Sequence, residues 1–358
     1  MNAFKDLIRA EIRALTAYHV QPARGMIKLD QMENPYGLAP DLKAEIGSLA
    51  ADSAINRYPD PTASELKARL REAMPLPDEA GLMLGNGSDE LIQIIALAVA
   101  KPGAILLAPE PSFVMFRLIA SFCGLKYVGV DLHDDFSLDR RAMLQGLREH
   151  KPAVTFLAYP NNPTGNLFDA DSVRSIIKAS PGLVVVDEAY FAFSQASLWP
   201  ELLRYPNLLV MRTVSKLGLA GLRLGLLAGP TELIEELDKL RLPYNINVLT
   251  QRVAARVLAD FPALQSQAAQ ICADRTLVFD ALNKIPGVTP YASQANFILF
   301  RVAAAERVFD GLKQHGILLK NLTAAHPLLN NCLRVTIGTP TENEIFLKAL
   351  RDLLTHST

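Results

Sequence analysis

The chain has 358 residues, which is enough for two domains of ordinary size. Half of the residues are hydrophobic and one fifth are charged, as in globular proteins with large cores. The formal net charge of -1 gives no basic excess for nucleic acid and none for an anionic membrane surface, so neither partner is expected.

Membrane, secretory and metal signals are weak in this sequence. The longest apolar region, residues 91–109, is broken by Lys101-Pro102-Gly103, and the N-terminal segment interleaves acids with bases. The three cysteines form no Cys-x-x-Cys pair, and the six histidines form no HExxH motif. We therefore expect a cytoplasmic protein with reduced thiols and no metal site.

The predicted elements begin with short pieces. Residues 1–19 have the apolar spacing of a helical arm, and residues 27–36 are extended and end in the turn Asn34-Pro35-Tyr36-Gly37. Helices are predicted at 41–49 and 64–74, the second ending at Pro75.

From residue 81 onward, strands and helices alternate. Strands are predicted at 81–84, 104–108, 126–130, 154–158, 183–186, 208–212 and 224–228, and helices at 89–100, 113–123, 139–149 and 169–179. The strands are continuous apolar runs, typical of a mainly parallel sheet with helices on both faces. Because ligands bind beyond the carboxyl ends of such strands, residues directly after a strand are the first candidates for a site.

The C-terminal part predicts a smaller α+β domain. Helices are expected at 231–242, 250–282 and 304–315, with strands at 296–301, 317–319 and 333–337 and a final helix. The fold class is thus α/β. We expect an N-terminal arm at 1–30, a large domain at 31–245 and a small domain at 246–358.

The strongest chemical signal follows the strand 208–212, in the sequence TVSKLGLAGLRLG. Lys216 stands after Ser215 and seven residues before Arg223. A lone lysine is usually a solvated surface charge. In this apolar, glycine-rich segment, burial and nearby cations can lower its pKa and make its amine a nucleophile for an aldehyde.

A phosphate site is a second possibility in the same sequence. Ser88 and Asp89 open a helix after Gly87, and free N–H groups at a helix N-terminus bind anions. Ser215 and Arg223 could be a helix cap and a salt-bridging arginine, but with that turn they suit a phosphate better. The Gly-x-Gly spacing alone is weak, because the third glycine of the dinucleotide fingerprint is missing.

Three polar residues complete the pattern. Asp187 ends an apolar strand, Tyr190 follows it, and Asn162 lies in the turn 161–165. Asp187 is either a cap for the next segment or the partner of a buried cation. Together with Lys216, these groups are the parts that hold pyridoxal 5'-phosphate (PLP) as a Schiff base: a carboxylate for the ring nitrogen, two donors for the ring oxygen and an amine.

These motifs carry a family resemblance along essentially the whole chain. The chain resembles the PLP-dependent aminotransferases of fold type I, classes I and II, and among them the members that act on histidinol phosphate. The matching segments are Asn34–Gly37, Asn56–Pro59, Gly87–Glu90, Asn161–Gly165, Asp187–Tyr190, Thr213–Gly225, Asn296–Leu299 and Leu333–Gly338.

The resemblance implies roles in binding the cofactor. Lys216 holds PLP covalently and shuttles a proton, while Asp187 pairs with the ring nitrogen. Asn162 and Tyr190 contact the ring oxygen, and Phe113 stacks on the ring. The phosphate is met by Ser88, Asp89, Ser215, Arg223 and Tyr58, the last from the neighbouring subunit, so that the resemblance also implies a homodimer with shared active sites.

The resemblance also implies the substrates and their contacts. Histidinol phosphate and 2-oxoglutarate would give imidazole acetol phosphate and glutamate, a reversible step of histidine biosynthesis. Arg334 would clamp a carboxylate, Tyr18 and Lys320 would meet the substrate phosphate, and Asn34 would also contact substrate.

Two residues and one spacing depart from the family pattern. Phe113 replaces the more usual tyrosine, Lys320 stands where many members have arginine, and the spacing from Lys216 to Arg223 is one residue shorter than usual. Alternatives with the same cofactor site therefore stay open, namely an aromatic amino-acid aminotransferase and an amino-acid phosphate decarboxylase. A non-catalytic regulator is disfavoured, because Lys216 is intact and no basic DNA-binding module is present.

Overall fold

The computed structural model describes residues 7–17, 20–194 and 196–355. The N-terminal half contains α1 (Ala10–Arg13), β1 (Ile27–Lys28), α2 (Pro40–Ala51), α3 (Ser64–Ala73), β2 (Ala80–Gly85), α4 (Ser88–Val99), β3 (Ile105–Glu110), α5 (Val114–Cys123), β4 (Lys126–Asp131), α6 (Arg140–His150), β5 (Val154–Ala158) and α7 (Ala170–Ala179).

The C-terminal half continues with β6 (Leu183–Asp187), β7 (Leu208–Thr213), β8 (Gly225–Pro230), α8 (Thr231–Asp238), α9 (Val248–Leu258), α10 (Phe261–Asn283), β9 (Val288–Pro290), β10 (Phe297–Val302), α11 (Ala305–Gln314), β11 (Ile317–Leu318), β12 (Lys320–Asn321), β13 (Cys332–Thr336) and α12 (Pro340–Thr355).

The large sheet has seven strands in the order β2-β8-β7-β6-β5-β3-β4. Strands β7, β6, β5, β3 and β4 run parallel, and β8 is antiparallel to both of its neighbours. The strands β5 and β7 are buried at every residue, as expected for a sheet covered on both faces. The predicted mainly parallel α/β sheet is therefore confirmed.

Side-chain caps fix several helix starts. Asp139, Asp169 and Asn247 each accept a hydrogen bond from a backbone N–H in the first turn of α6, α7 and α9. These residues explain why the helices begin within one or two positions of where the apolar spacing predicts them.

A smaller sheet, β12-β13-β10-β9, forms the C-terminal unit together with α10, α11 and α12. The short β1 joins this unit by parallel pairing with β11. Helix α9, however, contributes Val253, Ala254 and Val257 to the core beneath the large sheet. The division of the chain at residue 245 stays a prediction.

Three predicted helices differ from the structure. Within residues 7–17 the arm is helical only over the four residues of α1, and Leu7 is 82% exposed. Helix α8 ends at Asp238, before the predicted 242. The single helix predicted at 250–282 is two helices, because Asp260 leaves the helical conformation and Pro262 starts a new one.

A membrane-spanning helix is not found in the described ranges: none of their helices is both long and apolar enough to cross a bilayer.

Candidate active site

Nine of the side chains singled out in the sequence meet in one cavity at the carboxyl edge of the large sheet. The cavity has a volume of about 110 Å³. It is lined by nine of the predicted residues, namely Ser88, Asp89, Phe113, Asn162, Asp187, Tyr190, Ser215, Lys216 and Arg223. The ends of β5, β6 and β7 bring them together, as the strand-end rule predicts.

Lys216 enters the cavity on a 3-10 turn directly after β7. Its Nζ donates to the main-chain oxygen of Gln31 at 3.1 Å. Burial lowers the pKa of Lys216 to about 8, and the positive charges of Arg334 and Arg223 act in the same direction. A sizeable share of this amine is therefore neutral near physiological pH, which is the form that attacks a carbonyl carbon.

Asp187 ends β6 and is 4% exposed. Burial raises its pKa to about 7, although the backbone N–H of Ala189 donates to Oδ1 at 3.0 Å. It has no salt-bridge partner among the residues that the structure describes. A buried carboxyl group without a fixed cation at a cavity wall suits a ligand that brings a protonated nitrogen.

Tyr190 and Asn162 lie on the same wall. The Tyr190 ring packs edge-on against Phe297, with centroids 5.2 Å apart, and burial raises the pKa of its phenol. Arg334 Nη1 donates to Asn162 Oδ1 at 2.5 Å, which leaves the amide NH2 on the other side. Both side chains can thus donate to an oxygen in the cavity.

The N-terminus of α4 opens onto the cavity at Ser88 and Asp89 and has the chemistry to bind an anion. No described side chain caps this helix, so its first N–H groups remain available. Arg223 Nη2 lies 3.7 Å from Asp89 Oδ2 beside it. The absence of a side chain at Gly87 lets Arg223 approach the start of α4, because a Cβ on Gly87 would lie 2.7 Å from Arg223 Nη2. Gly225 likewise lets β8 approach Gly87, because a Cβ on Gly225 would lie 2.7 Å from the Gly87 carbonyl carbon.

The shortened spacing between Lys216 and Arg223 does not remove the arginine from the site. Two 3-10 turns, Ser215–Leu217 and Ala220–Leu222, compress the segment, and Arg223 takes a left-handed conformation with φ of 50°. Gly218, at φ of 114°, makes the reversal between them. Arg223 still lines the cavity.

An outer cleft continues from the cavity towards the C-terminal unit. Lys320 on β12 and Arg334 on β13 are directly paired across the two strands, and both line this cleft together with Lys216. Arg334 Nη2 also donates to the main-chain oxygen of Asp30 at 3.0 Å. Burial, followed by the charge of Arg334, lowers the pKa of Lys320. Two neighbouring cations at this point suit an anionic substrate group.

Asn34 does not line the cavity or the outer cleft. Its Nδ2 donates to the Leu217 oxygen at 3.0 Å and to Gln267 Oε1 at 2.9 Å, and its Oδ1 accepts from Tyr36 N. With all three interactions made inside the protein, Asn34 holds the turn after Lys216. The geometry gives no support to its predicted substrate contact.

Tyr58 does not line the cavity of this single chain. Tyr58 is 80% exposed and stacks on Tyr244, with ring centroids 4.5 Å apart. Tyr18 lies outside the described residues. Their predicted contacts with phosphate groups stay predictions.

Sequence reasoning gave no role to three residues near Lys216. Thr213 lines the cavity, and its Oγ1 lies 2.9 Å from Ser215 Oγ and accepts from Ser215 N. Met32 lines the same cavity, with its backbone in a left-handed conformation. The main-chain oxygen of Gln31 accepts the hydrogen bond from Lys216 Nζ. The position of Thr213 at the end of a strand could have indicated that it lines the site. No local pattern predicts that residues 31 and 32 lie close to Lys216.

A polar cluster at the mouth of the cleft has the composition of a metal site. Glu110, Asp131 and His326 place one ligand atom each within 4.8 Å of one another. However, both oxygens of Glu110 accept from Arg117 Nη2, and His326 Nδ1 accepts from Leu328 N at 3.3 Å. This hydrogen bond places the imidazole proton on Nε2, the atom that faces Asp131, so the arrangement is a hydrogen-bonded cluster.

The raised pKa of Asp187 predicts a stability change for Asp187→Asn in the ligand-free protein. With a pKa of about 7 in the fold and about 3.9 unfolded, Asp187 binds a proton preferentially in the folded state between these values. Its contribution to stability therefore falls as pH rises from 4 to 7, by on the order of 4 kcal/mol at most.

We expect Asp187→Asn to leave Tm nearly unchanged at pH 4 and to raise it by several degrees at pH 8, measured by calorimetry. Asp41→Asn, on an exposed position of α2, is the control for the change in net charge. A Tm that falls at pH 8 would show that the buried carboxylate stabilises the fold.

Comparison with known proteins agrees with this geometry. Residues 24–350 match the family model described as aminotransferase class I and II. The chain is 54% identical over 348 residues to histidinol-phosphate aminotransferase 1 of Ralstonia nicotianae, covering 96% of this chain and 93% of the relative. It is also 54% identical to histidinol-phosphate aminotransferase 2 of Nitrosococcus oceani, covering 96% of each chain.

A solved structure shares the fold. The histidinol-phosphate aminotransferase of Sinorhizobium meliloti in complex with pyridoxal-5'-phosphate superposes with a TM-score of 0.87 at 24% identity, covering 98% of each chain. Because the family model and the relatives at 54% identity cover nearly the whole chain, the chain belongs to the class I and II aminotransferase family.

Proposed function

We propose that the chain is a PLP-dependent aminotransferase that converts L-histidinol phosphate and 2-oxoglutarate into imidazole acetol phosphate and glutamate, reversibly. The observation that carries this proposal is the meeting of Lys216, Asp187 and the uncapped N-terminus of α4 in one cavity. The names of the relatives at 54% identity favour this substrate.

The residues present fit the cofactor. The phosphate would lie at the N-terminus of α4 with Ser88, Ser215 and Arg223, and the ring would lie on Phe113. Asp187 would face the ring nitrogen, with Asn162 and Tyr190 donating to the ring oxygen. Bound PLP supplies an electron sink for the substrate carbon that loses its proton.

The proton transfer falls to Lys216. Its Nζ, with a pKa of about 8, can accept a proton from the substrate Cα and would deliver it to the C4′ carbon of the cofactor. The main-chain oxygen of Gln31 lies 3.1 Å from Nζ. It gives the amine a defined position while the amine is not covalently bound to the cofactor.

The outer cleft would select the substrate. Lys320 and Arg334 would bind the phosphate of histidinol phosphate, and Arg334 would bind the carboxylate of glutamate in the other half-reaction. A phosphate carries nearly two negative charges near neutral pH, so two adjacent cations match it better than they match an uncharged aromatic side chain.

The wild-type protein should transaminate histidinol phosphate with a higher kcat/KM than phenylalanine, each assayed with 2-oxoglutarate. The physical reason is that only the first substrate has a phosphate for the two cations. Glutamate formation measured under matched conditions tests this. A preference for phenylalanine would favour the aromatic aminotransferase, and release of carbon dioxide from an amino-acid phosphate would favour the decarboxylase.

The proposal includes a homodimer with shared active sites. Tyr58 and Ile55 are 80% and 76% exposed, and Leu242 is 72% exposed close in sequence to Tyr244, on which Tyr58 stacks. Apolar exposure of this kind supports burial against a second copy of the chain. Tyr58 would then reach the cofactor phosphate of its partner.

Mixing two inactive variants tests the shared site. After subunit exchange between Lys216→Ala and Tyr58→Ala, each mixed dimer has one site with both residues intact. Random exchange should therefore restore about a quarter of wild-type activity. An exchanged mixture that stays inactive, with mixed dimers demonstrated by mass spectrometry, would show that Tyr58 serves its own chain.

A cytoplasmic location is also part of the proposal. All three cysteines are free thiols in the structure, which fits a reducing compartment.

A further inference from the structure

A buried ion pair lies on the face of the large sheet opposite the cavity. Glu188 is 0% exposed and Arg212 is 7% exposed. Arg212 donates to Glu188 Oε2 from Nε at 3.0 Å and from Nη2 at 2.9 Å. Ser197 Oγ and Leu198 N donate to the same carboxylate, at 2.9 and 2.6 Å from Oε1. The carboxylate is thus fully hydrogen-bonded.

Aromatic rings enclose the arginine. The centre of its guanidinium lies 4.4 Å from the ring centroid of Phe191 and 4.0 Å from that of Trp199. Such contacts stabilise a cation that has been removed from water. The guanidinium is therefore held by the Glu188 carboxylate and by two aromatic rings.

The two partners directly adjoin the candidate active site in sequence. Asp187 pairs with Met211 in the register of β6 and β7, and Glu188 N donates to the Met211 oxygen at 2.7 Å. Because side chains alternate along a strand, Asp187 and Thr213 point into the cavity, while Glu188 and Arg212 point away from it. The pair thus connects the two strand ends that carry Asp187 and, through Thr213 and Ser215, Lys216.

We propose that Glu188 and Arg212 are positioning residues that fix Asp187 relative to Lys216 across the ends of β6 and β7. The inference rests on the proposed function, since it takes the cavity to hold PLP. Stability alone is a weak reason for such a pair, because a buried ion pair is often no more stabilising than apolar residues of the same volume. A fixed distance between the acid and the amine is a requirement that apolar packing meets less well.

The test is the affinity of the chain for PLP, measured by absorbance titration after the cofactor has been removed. Glu188→Gln keeps the shape but removes the charge that holds Arg212. We expect it to weaken the Kd for PLP by roughly tenfold, the scale on which supporting residues act on a bound group. Ser197→Ala, a milder change in the same network, should weaken it by roughly threefold.

The matched control is Glu201→Gln. Glu201 is 15% exposed and accepts from Arg174 Nη2 at 2.7 Å, so the same chemical change breaks another ion pair whose carboxylate is largely buried. It should lower Tm and leave the Kd for PLP within about twofold of wild type.

The direction in which the Kd for PLP changes in Glu188→Gln separates a positioning role from a purely electrostatic one. After burial, the charges of Asp89 and Glu188 help to raise the pKa of Asp187. Loss of the Glu188 charge alone would therefore favour ionised Asp187 and tighten PLP binding.

A tighter or unchanged Kd for PLP in Glu188→Gln would overturn this inference and leave the proposed function standing. If that variant does not fold, an unchanged Kd in Ser197→Ala would overturn it. A wild-type chain that binds no PLP would overturn the proposed function as well.

Discussion

Lys216→Ala is expected to lower kcat for transamination by roughly 10⁴-fold or more, because one side chain supplies both the nucleophile and the proton carrier. The amine lies in the cavity with a lowered pKa, and no other described lysine lines that cavity. The variant should still bind PLP without a covalent bond, since the N-terminus of α4, where we propose that the PLP phosphate binds, is untouched. Steady-state kinetics and equilibrium dialysis with PLP measure the two effects separately.

The control for this substitution is Lys239→Ala. Lys239 is an exposed lysine that pairs with Glu236, and its loss should leave kcat unchanged. Turnover near the wild-type rate in Lys216→Ala, with the fold intact by circular dichroism, would contradict the assignment of Lys216.

The candidate cavity could be predicted from the sequence to a large extent because its residues follow strands. Asp187 ends β6, and Ser215 and Lys216 follow β7, so the parallel sheet alone brings them to one edge. The helix start at Ser88 was equally visible, since a glycine turn precedes an apolar helix. Local pattern and tertiary position agree at these residues.

The remaining features depend on contacts between distant parts of the chain. The approach of Gln31 to Lys216 joins residues 185 positions apart, and no local pattern encodes it. The hydrogen bonds of Asn34 inside the protein escape prediction for a related reason, because its partners Leu217 and Gln267 come from two different segments. The division of the long predicted helix into α9 and α10 is different, since Asp260 and Pro262 were visible in the sequence as a stop and a start.

Lys320→Met should lower kcat/KM for histidinol phosphate by roughly tenfold to a hundredfold, the value of one partly buried charge-assisted hydrogen bond of about 1.5–3 kcal/mol. Lys320 is half-buried beside Arg334 in the outer cleft, where little water screens its charge. Phenylalanine has no phosphate, so its kcat/KM should change far less. The decisive quantity is the ratio of the two kcat/KM values before and after the substitution.

Two further variants sharpen this comparison. Lys320→Arg keeps the positive charge and should retain much of the activity, although a longer planar group changes the distance to the phosphate. Lys313→Met removes an exposed lysine from α11 and should leave both substrates unaffected. If Lys320→Met leaves the ratio unchanged, Lys320 does not bind the phosphate. Arg334, which is held by Asn162 and the Asp30 carbonyl, would then be the cation that selects the substrate.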